Sequence, residues 1–312
     1  MLDKINIFGL EITTYGICLA IGFIIATQLL PRELKRRKLN VSASDWMVLA
    51  GMIGGIVGGK IAHIIEYREE IFKAGFFHNL FHWDAPNEWG VSAFLWRRVF
   101  DGGGLTYYGG FILAVILAIF VFRHYKISII EGIDANMPAL AMGYVWGRLG
   151  CFFSGDGCYG IAAKDSLLFP PLVWDYPQSV ASPSGGLVYN TPIMEAIVSL
   201  LLFLVLMKIR HFNWKTGFLT AFFLLIHGLT RFLVELIRHN PAEISFIGFF
   251  GLEAPTPQFI NLTSNAAQNY DALSTYYWWG LTMSQLISLV LIVWGVAWII
   301  KNKMWQFKQS EN

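Results

Sequence analysis

The sequence has few charged residues. Only 14% of its 312 residues are Asp, Glu, Lys or Arg, whereas soluble proteins contain about 25%. Hydrophobic residues make up 55% of the chain, which is typical of a protein embedded in lipid. The formal net charge is only +2, so no basic surface for nucleic acid is predicted.

Cysteine and signal-peptide features are also sparse. The three cysteines, Cys18, Cys151 and Cys158, form no CxxC pair and no metal-binding pattern with histidine, so no metal and no cofactor are expected. Free thiols are favoured over the alternative, a Cys151–Cys158 disulfide. Acidic Asp3 and Glu11 precede the first apolar run and basic residues follow it. A cleavable secretory signal has the reverse polarity, so this run is expected to remain as a span.

Long apolar runs dominate the remaining sequence. Seven are long enough to cross about 30 Å of hydrocarbon, at approximately 12–30, 46–65, 107–122, 134–153, 189–207, 216–237 and 281–300. The runs are continuous rather than alternating, which favours helices over a barrel. The predicted fold is all-α, a single polytopic membrane domain over 1–312 with seven transmembrane helices.

The distribution of Lys and Arg predicts the orientation. Thirteen lie on the side of segments 31–45, 123–133, 208–215 and the C-terminal tail, against seven on the other side. By the positive-inside rule the N-terminus is outside and the C-terminus cytoplasmic. The long loops at about 66–106, 154–188 and 238–280 are then outside. Because long loops on a rigid scaffold often carry function, the site is expected at the outer face.

Charged residues inside spans are costly and suggest function. Five of them are candidates for the site: Lys60, Arg148, Glu195, Arg231 and Glu235. Arg231 and Glu235 are one helical turn apart, so they either only neutralise each other or leave Arg231 to bind an anion as well. Arg148 has no carboxylate within one turn in the sequence. Its partner is therefore a distant carboxylate or a ligand phosphate.

A glycine-rich segment at 147–160 follows Arg148 at the end of the fourth span. Consecutive backbone N–H groups in such a loop can bind an anion, and Asp156 is a candidate base. The segment resembles the signature of the bacterial prolipoprotein diacylglyceryl transferases, Gly-Arg-x-Gly-Asn-Phe-x-Asn-x-Glu followed by a further Gly. The matching residues are Gly147, Arg148, Gly150, Phe152 and Gly160, and Asp156 replaces the Glu.

Other segments resemble this family in the same order along the chain. They are Thr14-Tyr15-Gly16, Gly59-Lys60-Ile61, and the segments 103–110, 191–196, 231–238 and 281–288. The resemblance covers nearly the whole chain. Cys151, Tyr108 and Lys60 replace a family Asn, His and Arg, so the chain is identified as a divergent member.

The resemblance implies a transferase of the bacterial inner membrane, without a cofactor. Its partners are phosphatidylglycerol, prolipoprotein signal peptides and membrane lipids. The diacylglyceryl group of phosphatidylglycerol moves to the lipobox cysteine thiol, a thioether forms and glycerol phosphate leaves. This chemistry needs fixed cations for the phosphate and a base for the thiol.

Site roles follow from this reaction. Arg148 and Arg231 bind the phosphate, Glu235 orients Arg231, and Asp156 is the first candidate base, with His63 the second. Tyr108 and Tyr15 line the site and donate to glycerol or phosphate oxygens. Tyr108 is not the candidate base, because a neutral tyrosine has a reference pKa of about 10 and is a poor base. The remaining predicted substrate-binding residues are Lys60, Cys151, Gly155, Gly160 and Glu195.

Two alternatives to this reaction remain open. One is a family relative that acts on a different acceptor or is inactive, because Tyr108 and Cys151 depart from the family. The other, less favoured, is a small-solute transporter that uses the buried charges as a relay. The polar loops lie mainly on one side, and no internal repeat is evident, which argues against a transporter.

Overall fold

The computed structural model describes residues 4–7, 10–66, 107–155, 158–160, 163, 168, 170–175, 187–212, 214–238 and 282–303, most of them helical. The elements are β1 (Lys4–Ile7), β2 (Leu10–Thr13), α1 (Thr14–Arg36), α2 (Ala43–Ile53), a π-helical turn (Gly54–Gly58), α3 (Gly59–Glu66), α4 (Tyr107–His124), α5 (Ile129–Ser154), β3 (Val173–Asp175), β4 (Leu187–Tyr189), α6 (Thr191–Ile209), α7 (Phe218–Glu235) and α8 (Met283–Lys301). Strands β1 and β2 form one antiparallel hairpin, and β3 and β4 pair antiparallel as well.

Each of the seven predicted spans coincides with helical structure. Five helical stretches are long and apolar enough to cross a bilayer: Thr14–Arg36, Ala43–Ala62, Thr191–Ile209, Phe218–Glu235 and Ser284–Lys301. The apolar part of α4, Gly109–His124, is shorter, and the polar residues Asp134, Asn136 and Arg148 lower the hydropathy of α5. The chain is therefore a mostly helical, multi-pass membrane protein. Seven crossings and their orientation stay predictions.

The chain divides into two compact units. One comprises Leu34–Ile129, and the other comprises Met1–Glu33 together with Ile130–Asn312. In the Leu34–Ile129 unit, the π-helical turn packs closely on α4. A Cβ atom added at Gly110 would lie 2.7 Å from the Gly55 carbonyl oxygen, and one at Gly58 would lie 2.7 Å from Leu113 Cβ. Glycines here allow the close helix contact that stabilises packing in lipid.

The larger unit, Met1–Glu33 with Ile130–Asn312, has an apolar core between α5, α6 and α7. Its buried residues are Met137, Ala141, Leu202, Leu206, Leu219 and Phe223. Helices α7 and α8 also pack closely, because a Cβ atom at Gly228 would lie 3.0 Å from the Ser288 carbonyl oxygen. These contacts fix the relative positions of the helices that carry the polar residues described below.

A buried carboxylate on α5 caps the start of α7. The N-cap residue, Gly217, has φ 96° and no side chain to serve as a cap. The Asp134 side chain serves as the cap instead. Its Oδ2 accepts a hydrogen bond from the Gly217 N–H at 3.0 Å. Its Oδ1 accepts from the Thr220 N–H at 2.7 Å and from the Thr220 hydroxyl at 2.6 Å. Asp134 is only 2% exposed, so these donors have no access to water if it is removed.

We expect Asp134→Ala to lower the free energy of unfolding by about 3 kcal/mol, because it removes a helix cap and leaves buried donors unpaired. The measurement is the thermal unfolding midpoint of the purified protein in detergent. Asp45→Ala is the matched control, since Asp45 is exposed on α2 and its loss should change stability by less than about 0.5 kcal/mol. Equal midpoints for the two variants would contradict this role of Asp134.

Candidate active site

Three helices of the larger unit bring charged side chains to one place. Helix α5 supplies Arg148, α6 supplies Glu195, and α7 supplies Arg231 and Glu235. The residue before α8, Thr282, joins them through a hydrogen bond. Charges so far apart in the sequence meet because each lies on the inner face of its helix, where lipid cannot reach it.

Glu195 is the centre of this cluster. It is 2% exposed, and each of its two oxygens meets a different arginine. Its Oε2 lies 2.6 Å from Arg148 Nε and its Oε1 lies 2.9 Å from Arg231 Nη1. The Tyr144 hydroxyl also donates to Oε2. A single carboxylate therefore holds two guanidinium groups on neighbouring helices at a fixed separation.

Glu235 holds the other side of Arg231. Its carboxylate is fully buried, with Oε2 2.6 Å from Arg231 Nη2 and Oε1 accepting from the Thr282 hydroxyl at 3.0 Å. Arg231 Nη2 also donates to the Ser284 hydroxyl at 3.1 Å. The ion pair expected from the i, i+4 spacing is thus present. It is one part of a larger network rather than an isolated pair.

A third arginine lies at one edge of the cluster. With all groups ionised, Arg148 and Arg231 are balanced by Glu195 and Glu235. Arg238 adds a further positive charge: its Nη2 lies 3.3 Å from Cys158 Sγ, and Arg148 Nη1 lies 4.0 Å from the same sulfur. Arg238 Nε is buried and has no hydrogen-bond partner among the described residues. The edge near Cys158 is therefore the positive edge of the cluster.

The glycines of 147–160 have backbone roles in the described part of the chain. Gly155 has φ 65° directly after α5, a conformation that favours glycine. A Cβ atom at Gly160 would lie 2.5 Å from the Ile237 carbonyl oxygen. The Gly155 N–H donates to the Cys151 carbonyl at 3.0 Å and the Gly160 N–H to the Tyr189 carbonyl at 2.7 Å. These two N–H groups are thus used within the protein.

Two other predicted residues lie in or beside this segment. Tyr15 on α1 packs against Gly150, where an added Cβ atom would lie 2.9 Å from its ring atom Cδ2. Cys151 follows on α5, and Cys18, Cys151 and Cys158 are all free thiols, so the alternative of a Cys151–Cys158 disulfide is not adopted. Tyr15 and Cys151 therefore belong to the same unit as the arginine cluster.

The remaining predicted site residues lie in the other unit or outside the described residues. Lys60 is 7% exposed on α3, in the Leu34–Ile129 unit. His63 and Tyr108 also belong to that unit, and their side chains lie outside the described residues. Asp156 lies outside the described residues altogether. Their roles stay predictions.

Two side chains at the cluster were given no site role in the sequence-based prediction. Tyr144 contacts both Glu195 and Arg148, and His227 packs edge-on against the Tyr144 ring with centroids 4.7 Å apart. A small cavity adjoins them, lined by Tyr144, Glu195, Val198, Ser199, Leu202, His227, Thr230 and Arg231. Tyr144 precedes Arg148 by four residues and His227 precedes Arg231 by four. Residues four apart lie on the same face of a helix, so the sequence spacing already indicated that Tyr144 and His227 neighbour the two arginines.

Comparison with known proteins gives a consistent result. A family model described as prolipoprotein diacylglyceryl transferase matches residues 4–301. A phosphatidylglycerol–prolipoprotein diacylglyceryl transferase of Leptospira interrogans is 39% identical over 308 residues, covering 96% of this chain and 92% of the relative. Proteins of the same name from Clostridium tetani and Geobacter sulfurreducens are each 28% identical, covering 82% and 76% of this chain and 90% and 82% of the relatives.

Proposed function

Because this chain belongs to the prolipoprotein diacylglyceryl transferase family, we propose that it transfers the diacylglyceryl group of phosphatidylglycerol to a prolipoprotein cysteine. The cysteine sulfur forms a bond to the glyceryl carbon, the bond from that carbon to the phosphate oxygen breaks, and glycerol phosphate leaves. The thiol gives up its proton in the process. The observation that carries this proposal is the pairing of Arg148 and Arg231 with buried carboxylates, with Arg238 at one edge of the cluster.

The phosphate is the group these arginines suit. A guanidinium stays charged when desolvated and matches phosphate oxygens with a planar pair of donors. Arg148 and Arg231 are each only about 15% exposed, so their interactions with a departing phosphate are screened little by water. Glu235 holds Arg231 through their 2.6 Å ion pair. We assign Arg148 and Arg231 to charge stabilisation as the carbon–oxygen bond breaks.

Arg238 is a third candidate for this subsite. Without it the four groups of the cluster carry no net charge, and a neutral cluster attracts an anion poorly. Its Nε is buried without a hydrogen-bond partner among the described residues, and its Nη2 lies 3.3 Å from Cys158 Sγ at the positive edge. An incoming phosphate would satisfy the Nε–H donor, since a buried polar group without a partner is costly.

The acceptor side of the reaction needs a base and donors in addition to the arginine–carboxylate cluster. Asp156 is our first candidate for the base that takes the thiol proton, and His63 is the second. We place Tyr15 and Tyr108 as donors to glycerol or phosphate oxygens and Lys60 as an additional cation. Cys151, Gly155 and Gly160 shape the substrate channel without reacting, since direct displacement needs no covalent intermediate.

The membrane arrangement completes the proposal. We propose seven crossings in one membrane domain, with the N-terminus outside and the C-terminus cytoplasmic. The site then faces the outer side of the bacterial inner membrane, where prolipoprotein signal peptides and phosphatidylglycerol meet. The excess of Lys and Arg on the side of segments 31–45, 123–133 and 208–215 supports this orientation.

A transfer assay tests this function. Purified protein incubated with labelled phosphatidylglycerol and a lipobox peptide should yield a peptide heavier by one diacylglyceryl group, linked by a thioether. A peptide with serine in place of the cysteine should gain no mass, because its hydroxyl is a far weaker nucleophile than a thiolate. Thioether product on the first peptide alone is the expected result, read by mass spectrometry.

The same assay addresses the alternative acceptor. Tyr108 and Cys151 depart from the family residues, which favours this alternative over a transporter. Folded protein that lipidates another thiol or an amine, but not the lipobox peptide, would contradict the proposed acceptor. In that case reversion to the family residues, Tyr108→His and Cys151→Asn, should restore transfer to the lipobox peptide.

A further inference from the structure

The Tyr144 hydroxyl lies between the two groups that define the candidate site. It accepts hydrogen bonds from Arg148 Nε at 3.0 Å and from Arg148 Nη2 at 2.8 Å, and it donates to Glu195 Oε2. A tyrosine hydroxyl has one donor and two acceptor positions. All three are therefore used, and none is left for a substrate.

These contacts determine which edge of Arg148 faces a ligand. Nε and Nη2 are held by Tyr144, and Nε also lies 2.6 Å from Glu195 Oε2. Nη1 lies 4.0 Å from Cys158 Sγ, which is long for a hydrogen bond. The Nη1 edge therefore points toward Arg238 and the positive edge of the cluster.

We propose that Tyr144 is a positioning residue that holds Arg148 with its Nη1 edge toward the phosphate of the lipid substrate. This inference rests on the proposed function. A flexible arginine must lose side-chain entropy to take up one orientation, whereas an arginine already held in place stabilises charge in the transition state without rearranging. The hydroxyl acts through Arg148 and does not touch the reacting atoms.

The test is Tyr144→Phe, which removes the hydroxyl and keeps the ring against His227. We expect kcat for transfer to fall about 30-fold, because a bond to a charged group is lost and Arg148 loses its fixed orientation in the transition state. The KM for phosphatidylglycerol should change by less than about 3-fold, since the charge of Arg148 remains. Tyr125→Phe, on the loop after α4, is the matched control and should leave both constants unchanged.

A second variant tests the route through Arg148. A lysine at position 148 has no planar guanidinium group for Tyr144 to orient. The double variant Tyr144→Phe with Arg148→Lys should therefore have an activity no more than about 3-fold lower than that of Arg148→Lys alone. A full 30-fold further loss would overturn the proposal and assign Tyr144 a role independent of Arg148. Unchanged kcat in the single variant would overturn it as well.

The assay also separates this inference from the proposed function. If the unaltered protein forms the thioether and the Tyr144→Phe variant forms it with the same kcat, the positioning role fails while the transferase function stands. If unaltered, folded protein forms no thioether, the function itself fails and the inference with it. The fraction of folded protein in detergent is measured for the single and the double variant. If this fraction falls as much as kcat does in both, Tyr144 acts on stability and the proposal is overturned.

Discussion

Replacing Arg148 with alanine should reduce diacylglyceryl transfer by at least about 1,000-fold. Removal of one donor that stabilises developing charge costs about 100- to 1,000-fold in kcat. Here the substitution removes a full positive charge and also releases Glu195 Oε2 from its 2.6 Å partner. The measurement is the initial rate of thioether formation with phosphatidylglycerol and a lipobox peptide.

Two further variants make this prediction specific. Arg148→Lys keeps the charge but loses the planar pair of donors, so we expect an intermediate loss of about 100-fold. Arg123→Ala, on the exposed end of α4, removes the same kind of side chain away from the cluster and should leave the rate unchanged. Full activity in folded Arg148→Ala would rule out phosphate stabilisation by this residue and the reaction scheme built on it.

The helices were predictable from the sequence because lipid imposes a simple requirement. A span must be continuously apolar over about 20 residues, and each of the seven predicted runs coincides with helical structure. The boundaries differ by a few residues. The helix in the span predicted at 134–153 begins earlier, at Ile129, and Asp134 tolerates burial there because it is paired with the start of α7.

The partners of the buried charges were only partly predictable. The Arg231–Glu235 pair follows from one helical turn, but the pairing of Arg148 with Glu195 joins residues 47 positions apart on different helices. The sequence limited the choice for Arg148 to a few carboxylates or a ligand. Selecting Glu195 required the packing of α5 on α6, including the Ser199 hydroxyl bonded to the Ala141 carbonyl at 2.9 Å.

The central position of Glu195 leads to a second large effect. We expect Glu195→Gln to lower kcat for transfer about 100-fold, because Arg148 and Arg231 lose the charge that holds them at a fixed separation. The same change adds one unit of positive charge to the cluster. Binding of an anionic lipid should therefore not weaken, and the KM for phosphatidylglycerol should stay equal or fall. Arg148→Ala should instead raise this KM, since it removes a cation.

Glu33→Gln is the matched control for this prediction. Glu33 is also a buried glutamate, 1% exposed, and its Oε2 lies 2.8 Å from Arg210 Nη1. Both substitutions leave a buried arginine without its carboxylate, which costs about 3 kcal/mol of stability. Only Glu195→Gln removes the carboxylate between the two proposed phosphate-binding arginines, so only it should lower kcat in protein that remains folded. Equal kcat losses in the two variants would show that the effect is one of stability and would remove Glu195 from the catalytic arrangement.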